Sequence, residues 1–366
     1  MPAHPGLSLP RKIALLPGDG IGKEVIAVGR AILELYRDKK GLPLDLWELD
    51  LGADRYLRDG TTLPNEIFEQ VRDQCGAILL GALGDPRVPG LEHARDILFG
   101  FRFGLELFAN VRPCRALDDA LVPLRGKTAK DVDFVVFREN TEGVYVGMGG
   151  NFKKGTPDEV AINEDLHTRK GVERVIRAAF VHAVQRGKDT VHMADKSNAM
   201  RAVGDLWQRT FQEVARDFRH VHAKHVYVDA LCLYLIQDPA KFQVIVTNNL
   251  FGDIVTDLAA ALHGGLGMAA SASLHLVDGR SRVGLFEPVH GSAPDIAGQD
   301  KANPLATVLT VGMLLAHLGY PEEEARLEAI VRQAIRDKQC TRDVGGTLGT
   351  RAVGAFVLEQ LARALA

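Results

Sequence analysis

Short apolar runs rich in β-branched residues alternate along this sequence with longer segments whose apolar positions recur at helical spacing. Residues 22–37, for example, carry an apolar stripe that runs from Val25 to Tyr36 along one helix face. The predicted strands are residues 12–16, 77–80, 134–137, 191–194, 226–229 and 244–247. The predicted helices are residues 22–37, 171–186, 199–218, 304–318 and 322–337. This alternation predicts an α/β fold with a partly parallel sheet.

One segment departs from the alternation. Residues 147–167, which begin with GMGGNFKKGT, have little periodicity, and we expect a mobile loop or an arm used between subunits. No internal repeat or low-complexity linker marks a domain boundary, so a discontinuous arrangement remains open. At about 150 residues per domain, the 366 residues allow about 2.4 domains.

Composition and charge exclude several classes of protein. The chain is 46% hydrophobic, and its 44 basic and 47 acidic side chains are interspersed, with a formal charge of -3. This pattern argues against a disordered tail, and the near-neutral charge argues against a nucleic-acid-binding module. We therefore expect a soluble globular protein.

The cysteines and the apolar stretches indicate in which cellular compartment the protein is expected. The four cysteines are widely spaced with no CxxC pair, so we expect reduced and mostly buried thiols. The first residues lack the pattern of a secretory signal. The most apolar long stretch, residues 258–274, contains one His, three Gly and two Ser, which makes it a poor membrane span. A cytoplasmic location is the expectation.

Three glycines, Gly18, Gly20 and Gly22, lie between the first predicted strand and the first predicted helix. The Rossmann fingerprint requires a glycine three positions after the second of these, where this chain has Lys23. A tight strand-to-helix turn is therefore favoured over a phosphate cradle of that kind, and a role near a ligand remains open.

Two aspartates, Asp253 and Asp257, lie four positions apart in NNLFGDIVTDL and share one face of a predicted helix. Like charges at this spacing repel unless a cation or a basic side chain lies between them, so the pair suggests a site for a hard divalent ion. A solvated acidic helix face is the alternative, and the spacing taken alone favours it.

Three arginines, Arg102, Arg112 and Arg138, stand among apolar residues and would suit bidentate binding of substrate carboxylates. Salt bridges to Glu106 or Glu139 would account equally well for the same arginines.

Two residues are candidates for proton transfer. Tyr145 could donate a proton if its pKa were lowered, although a packed tyrosine with a satisfied hydroxyl is more common. Lys196 and Asn198, in MADKSNAM, follow a predicted strand at the edge where open α/β sheets bind ligands, and a lysine near a metal-bound alcohol could act as a base. Residues 284–304 have too few apolar residues for a core element and many turn formers, which indicates a ligand-binding loop.

Seven sequence blocks, taken together, resemble those of the β-decarboxylating dehydrogenases, the family of isopropylmalate, isocitrate, homoisocitrate and tartrate dehydrogenases. In chain order they are LLPGDGIGKEV, FANVRP, RENTEGVYVG, ADKSNAM, VDA, NNLFGDIVTD and FEPVHGSAPDIAGQDKANP, so the resemblance covers nearly the whole chain. It implies the fold of that family, an α/β fold with a two-domain mixed sheet flanked by helices, and not a Rossmann fold. Residues 1–107 and 264–366 would form a large cofactor-side domain. Residues 108–263 would form a smaller dimerisation and substrate/metal domain with the arm near 147–167.

The resemblance also implies roles for individual residues. Arg102, Arg112 and Arg138 would bind the malate carboxylates, and Tyr145 and Lys196 would form the acid–base pair. The ligands of a Mg²⁺ or Mn²⁺ ion would be Asp229, Asp253 and Asp257, with Asp229 also beside the substrate. In the family the lysine and one metal aspartate come from the neighbouring subunit, which implies a homodimer with shared active sites.

The same resemblance implies that the turn-rich loop binds the dinucleotide. His290 would contact the adenine region, Asp295 the adenosine ribose hydroxyls and Asn303 the adenine. The full predicted set is Glu287, His290, Gly291, Ser292, Ala293, Pro294, Asp295, Ile296, Asn303 and, outside the loop, Asn198. The Asp295 carboxylate would repel a 2′-phosphate, and NADP-dependent relatives carry a basic and an aromatic residue at this pair. Asp295 followed by Ile296 therefore indicates NAD.

The residues before Arg102 bear on the substrate. Isocitrate enzymes place Ser and Asn six and four positions before this arginine, where this chain has Asp96 and Leu98. Leu98 and Phe99 fall where isopropylmalate enzymes place two leucines around the isopropyl group. An apolar pocket would favour a branched alkyl chain over a carboxylate, which indicates 3-isopropylmalate.

One departure from that pattern is Arg95, which stands where isopropylmalate enzymes commonly have Glu. It could pair with Asp96 or Glu92, or it could bind a third carboxylate, as homoisocitrate or isocitrate would offer.

The expected activity is NAD- and metal-dependent oxidative decarboxylation of 3-isopropylmalate to 4-methyl-2-oxopentanoate in leucine biosynthesis. The alternatives are another family substrate, namely homoisocitrate, isocitrate, tartrate or D-malate, and a non-catalytic regulatory subunit.

Overall fold

The computed structural model describes residues 11–276 and 282–366, and its main feature is a ten-stranded sheet with helices packed on both faces. The strands are β1 (Lys12–Gly18), β2 (Asp45–Glu48), β3 (Cys75–Ala82), β4 (Ala109–Arg115), β5 (Asp133–Glu139), β6 (Gly149–Phe152), β7 (Val160–Asn163), β8 (Thr190–Asp195), β9 (His222–Tyr227), β10 (Val244–Thr247), β11 (Ala270–Leu274) and β12 (Gly284–Pro288). The helices are α1 (Gly22–Lys40), α2 (Ala53–Asp59), α3 (Asn65–Gln74), α4 (Glu92–Gly104), α5 (Arg169–Gln185), α6 (Arg201–Ala215), α7 (Val228–Gln237), α8 (Asn249–Ala261), α9 (Leu305–His317), α10 (Pro321–Arg336) and α11 (Thr350–Ala364).

The sheet mixes parallel and antiparallel pairs in the order β2-β1-β3-β12-β11-β4-β5-β10-β8-β9. β11 runs antiparallel to β12 and β4, and β4 runs antiparallel to β5, while the other neighbours are parallel. The predicted mixed α/β sheet is therefore confirmed. The strands from β2 to β11 come from the two ends of the chain, and those from β4 to β9 come from its middle. The division of the chain into residues 1–107 with 264–366 and residues 108–263 stays a prediction.

The core follows from the alternation of side chains along the central strands. Ile13 and Leu15 of β1 face a cluster that includes α1, α9 and α11, whereas Ala14 and Leu16 face a second cluster that includes α4. A third cluster packs α7 and α8 against β5 and β10. Burial of both faces explains why the central strands have nearly continuous apolar sequences, which made them predictable.

Two predictions from the sequence are wrong in detail. The strand expected at residues 226–229 ends at Tyr227, and Asp229 lies in the first turn of α7, because Leu231 and Leu235 are the buried positions of a helix. Residues 284–304 were expected to lack a core element, but β12 begins that segment and is buried between β3 and β11. Its short sequence is stabilised by a strand on each side rather than by its own apolar pattern.

The segment at residues 147–167 forms a hairpin in which β6 and β7 pair antiparallel, apart from the main sheet. All residues of both strands are exposed, including Phe152 and Ile162. The expected excursion from the core is confirmed, whereas its use between subunits stays a prediction.

The tight turn predicted between β1 and α1 is confirmed. Gly18 and Gly20 have φ angles of 69° and 52°, in the left-handed region that glycine adopts without strain. A Cβ at Gly20 would lie 2.0 Å from the carbonyl oxygen of Ser292, and the Ile21 amide donates to that oxygen at 2.8 Å. The turn therefore lies directly against the loop that follows β12.

Three of the four cysteines are buried and Cys232 is half-buried, and all are unpaired, as the sequence predicts. Among the described residues, no helix combines the length and the apolar character that crossing a membrane requires.

Two buried histidines lead to a prediction about acid stability. Burial lowers the pKa of both His192 and His263 to about 4. An unfolded histidine takes up its proton near pH 6.5, so between about pH 6.5 and 4 the unfolded chain binds more protons and the free energy of unfolding falls as the pH is lowered. His192 packs edge-on against Phe242 with ring centroids 4.8 Å apart, a contact that leucine can replace.

When the pH is lowered from about 7.5 to 5, the free energy of unfolding should therefore fall less in His192→Leu than in the parent chain. We expect the two decreases to differ by about 1–2 kcal/mol. Urea unfolding at the two pH values measures this difference. His222→Leu, at an exposed position of β9, is the matched control and should leave the loss unchanged. An equal loss in the parent chain and His192→Leu would contradict the assignment.

Candidate active site

Two arginines on neighbouring strands form the floor of the candidate site. Arg112 of β4 and Arg138 of β5 lie on one face of the sheet, because Arg112 pairs with Val136 and Arg138 pairs with Asn110 in the antiparallel register. Both guanidinium groups are almost fully buried. A buried cation is costly unless it is paired, so the contacts of these two side chains constrain everything around them.

Helix α8 covers these arginines and supplies their acidic partner. Asp253 accepts hydrogen bonds from Arg138 and, at 3.4 Å, from Arg112. A Cβ at Gly252 would lie 2.5 Å from Cγ of Arg138, so the glycine allows the helix to approach this closely. Burial acts to raise the pKa of Asp253, but Arg138, the Tyr145 hydroxyl and Arg112 lower it overall.

Tyr145 lies beside this cluster and donates its hydroxyl hydrogen to Asp253 at 2.8 Å. Its ring lies 5.3 Å from the Arg138 guanidinium. From its sequence position, Tyr145 could donate a proton if its pKa were lowered, but burial and then the hydrogen bond to Asp253 raise the pKa of this phenol. The structure therefore does not supply the lowered pKa, and a proton-donating role of Tyr145 stays a prediction.

The third arginine, Arg102 of α4, donates to Glu287 at the end of β12 at 2.5 Å. Its Nε atom is buried and has no hydrogen-bond partner within the described residues. An unpaired buried donor on a guanidinium is costly and suits an anionic ligand. The salt bridges considered to Glu106 and Glu139 are not those that hold the three arginines. Their acidic partners are Asp253, Glu287 and, at 4.0 Å from Arg112, Asp257.

Asp257 lies one helical turn after Asp253, with 61% of its side chain exposed. Burial, and then the charge of Asp253, raise the pKa of Asp257. A divalent cation between the two carboxylates would remove this repulsion, so the pair fits half of a hard-metal site with oxygen ligands. Within the described part of one chain, no three His, Cys, Asp or Glu side chains are close enough to hold a metal.

Lys196 and Asp229 form a separate pair on other elements. The Lys196 ammonium, just after β8, donates to Asp229 of α7 at 2.7 Å. This bond lowers the pKa of Asp229. Across residues 11–276 and 282–366, no hydrogen bond or ion pair joins these two side chains to Tyr145, Asp253 or Asp257. One chain therefore carries two separate groups of predicted site residues, each incomplete by itself. The first contains Tyr145, Asp253 and Asp257, and the second contains Lys196 and Asp229.

The predicted cofactor loop forms a turn-rich segment against α1. Ile296 packs on Ile21, Val25 and Ala302, which anchors the middle of the loop. His290 donates from Nδ1 to the carbonyl oxygen of Gly291 at 3.0 Å, while its buried Nε2 has no partner within the described residues. This unpaired ring nitrogen fits a polar group of a ligand.

The remaining predicted cofactor residues differ in exposure. Asp295 and Asn198 are exposed, and no hydrogen bond of the described residues uses the Asp295 carboxylate, so it can meet ribose hydroxyls. Asn303 is buried and donates to Asp343 at 2.8 Å. The four remaining residues are at least partly accessible to a ligand. Gly291 and Pro294 are exposed, and Ser292 and Ala293 are half-buried.

The residues expected to select the substrate lie on α4. Phe99 stacks on Phe103 and meets the Tyr145 ring edge-on with centroids 6.4 Å apart, so it brings an apolar surface to the site. Leu98 is half-buried against the core cluster around α4. Arg95 is exposed and lies 3.7 Å from Asp96, which is the structural pairing considered for it.

Sequence reasoning missed three polar residues that hold the arginines. Asn110 accepts from Arg112 Nε at 2.6 Å, Thr256 accepts from Arg112 Nη1 at 2.7 Å, and Asn249 accepts from Arg138 Nε at 2.9 Å. All three are buried. The available signal was a polar residue inside the buried segments FANVRP and NNLFGDIVTD, where an apolar residue would otherwise be expected.

A cluster of buried arginines of this kind on a mixed α/β sheet suits the binding of a ligand with several carboxylates. The family model for isocitrate/isopropylmalate dehydrogenase matches residues 12–357, and the chain belongs to this family of decarboxylating hydroxy-acid dehydrogenases. It is 43% identical to the 3-isopropylmalate dehydrogenase of Thermobifida fusca over 351 residues, which cover 96% of this chain and 98% of the relative.

Other relatives agree in length. The chain is 45% identical to the 3-isopropylmalate dehydrogenase of Frankia casuarinae over 350 residues, covering 94% of this chain and all of that protein. Among solved structures, isocitrate dehydrogenase from Methylococcus capsulatus superposes with a TM-score of 0.86 at 33% sequence identity, covering 96% of this chain and 99% of that one. The predicted family and fold are therefore confirmed.

The paired aspartates of α8 lead to a prediction about metal binding. We expect Asp257→Asn to weaken Mn²⁺ binding by about tenfold or more, because one charged oxygen ligand is lost. Titration of Mn²⁺ followed by electron paramagnetic resonance of the free ion measures this without turnover. Asp205→Asn, an exposed aspartate of α6 paired with Arg209 at 2.9 Å, is the control. Equal affinity in the parent chain and Asp257→Asn would exclude Asp257 as a ligand.

Proposed function

We propose that this chain oxidises 3-isopropylmalate with NAD and releases carbon dioxide, giving 4-methyl-2-oxopentanoate in leucine biosynthesis. The observation that carries the proposal is the buried arginine group beside Tyr145 and Phe99, which offers cations for carboxylates next to an aromatic surface. The full-length likeness to several 3-isopropylmalate dehydrogenases supports the choice of substrate.

In this proposal the arginines bind and orient the substrate. Arg112 and Arg138 are fixed by Asn110, Thr256 and Asn249, so their free donors are preorganised for carboxylate oxygens. Arg102 has a buried Nε without a partner among the described residues, in addition to the Nη2 group that donates to Glu287. Preorganised cations also stabilise the negative charge that develops when the carboxylate leaves as carbon dioxide.

The proton transfers fall to two side chains. In its neutral amine form, Lys196 would accept the proton of the 2-hydroxyl group during oxidation, and Tyr145, which keeps its proton, would protonate the carbon that loses carbon dioxide. A Mg²⁺ or Mn²⁺ ion held by Asp253, Asp257 and Asp229 would supply Lewis acidity at the hydroxyl and ketone oxygens. NAD would supply the hydride acceptor.

The choice of NAD over NADP rests on Asp295. Its carboxylate is exposed and unused by other described side chains, so it can accept hydrogen bonds from both ribose hydroxyls. The same negative charge would repel a 2′-phosphate. Ile296 packs into the loop and offers no polar group in compensation.

Steady-state kinetics test the proposal directly. With Mg²⁺, we expect the highest kcat/KM for 3-isopropylmalate among five substrates that include isocitrate, homoisocitrate, D-malate and tartrate, and a preference for NAD over NADP. The physical reason is that Phe99 offers no hydrogen bond to a third carboxylate. A higher kcat/KM for either tricarboxylate would contradict the proposal.

A regulatory subunit without catalysis is the second candidate from the sequence. It would be favoured if the purified chain reduced no NAD with any of the five substrates. The intact bonds of Tyr145 to Asp253 and of Lys196 to Asp229 argue against it, because such subunits have no need of catalytic groups.

We also propose a homodimer in which each active site is shared. The two incomplete residue groups of one chain would complete each other across a two-fold axis. Helices α7 and α8 carry exposed apolar side chains that a partner would cover: Leu233, Tyr234, Ile236 and Ile254. The proposed domains divide the site along a different line, with Arg102 and Glu287 on one domain and Arg112, Arg138 and Asp253 on the other.

Mixing two inactive variants tests the shared site. Lys196→Met and Tyr145→Phe homodimers should each be nearly inactive, since every site lacks one group. After subunit exchange at equal amounts, half of the dimers are hybrids with one intact site, so about a quarter of the parent activity should return. If Lys196 and Tyr145 act within one chain, no activity returns. Light scattering should give the mass of two chains or more.

A further inference from the structure

Asp195, the residue directly before Lys196, is buried at the end of β8 with 5% exposure. Its carboxylate accepts from the Ser197 amide at 3.1 Å and from Gln208 of α6 at 3.3 Å. The same oxygen that binds Ser197 also accepts from His225 Nε2 at 2.7 Å. A buried carboxylate with this number of donors is held firmly in one orientation.

These bonds clamp the backbone on both sides of Lys196. Because Asp195 accepts from the amide two residues later, its side chain closes a turn around Lys196. Gln208 also donates to the Ser197 hydroxyl at 2.6 Å, and a Cβ at Gly204 would lie 2.3 Å from the Cβ of Ser197. The backbone that carries the lysine therefore has little freedom to shift.

His225 extends this clamp to the element that carries Asp229. It lies on β9, where Met193 pairs with His225 and Asp195 pairs with Tyr227, so its bond to Asp195 crosses the strand pair diagonally. β9 is the last strand of the sheet and has only β8 as a neighbour. An edge strand held on one side benefits from an additional side-chain bond, and α7 with Asp229 begins directly after β9.

We propose that Asp195 and His225 are a positioning pair that fixes the distance between Lys196 and Asp229. The proposal rests on the function proposed above, in which Lys196 accepts the substrate proton. Among the described residues, no hydrogen bond or ion pair joins the side chain of Asp195 or His225 to that of Lys196 or Asp229, so both act through the backbone of β8 and β9. A displacement of the lysine by about 1 Å would be enough to slow proton transfer strongly.

Three variants separate positioning from general stability. His225→Leu removes the donor to Asp195, whereas His225→Gln can place its amide nitrogen close to the position of Nε2. His222→Leu, the same substitution at an exposed position of the same strand, is the matched control. Each variant is measured as the full-length protein by steady-state kinetics and by its thermal unfolding midpoint.

We expect His225→Leu to lower kcat by about tenfold or more while KM for NAD changes less than about twofold, because all the predicted cofactor residues except Asn198 lie on β12 or the loop after it, away from β8 and β9. His225→Gln should keep kcat within about threefold of the parent chain, and His222→Leu should match the parent. Unchanged kcat in His225→Leu, or an equal loss in the Gln and Leu variants, would overturn the proposal. So would an equal loss in His222→Leu.

A second measurement needs no substrate. The rate at which Lys196 is acetylated by acetic anhydride, followed by peptide mass spectrometry, reports whether its bond to Asp229 is kept. We expect this rate to rise at least about threefold in His225→Leu and to be unchanged in the other two variants. An unchanged rate in His225→Leu would overturn the positioning role. If the parent chain fails to oxidise 3-isopropylmalate, the proposed function fails, and the acetylation rate alone decides the positioning role.

Discussion

The burial of two guanidinium groups on adjacent antiparallel strands is the constraint on which this structure most depends. Arg112 and Arg138 are held under α8, where exposure to water cannot offset their charge. Their partners must therefore come from the protein, and α8 supplies an aspartate, an asparagine and a threonine on the face that covers the sheet. Gly252 permits the close approach that makes these bonds possible. The position of α8 is in this sense determined by charge as much as by apolar packing.

The same constraint explains why a stable fold can retain a site for an anion. The group Arg102, Arg112 and Arg138 has Asp253 and Glu287 as close acidic partners, and burial lowers the pKa of both Arg112 and Arg138. Lowered arginine pKa values mean that the cations are incompletely compensated. In the proposed function a substrate carboxylate would supply the missing negative charge, so binding would relieve an electrostatic cost that the folded chain otherwise bears.

The sequence predicted the elements that depend on local pattern and missed those that depend on distant partners. The strand at 244–247 and the start of α1 at Gly22 follow from an apolar run and an apolar stripe, and the structure has both. β12 was missed because a five-residue strand between two others requires little apolar pattern of its own. The partners of the arginines were not predictable from spacing, because they depend on the register of β4 on β5 and on α8, whose contacting residues lie more than a hundred positions from Arg138.

The contact between Arg102 and Glu287 joins the two halves of the proposed chemistry. Arg102 belongs to the helix that carries Phe99, and Glu287 is the last residue but one of β12, the strand from which the predicted cofactor loop departs. A shift of that loop would move Glu287 and change the donors that Arg102 can offer. Because a buried ion pair is costly to break on one side only, movement of the loop and reorientation of Arg102 are energetically linked. The substrate arginine and the origin of the loop are therefore expected to respond together when either ligand binds.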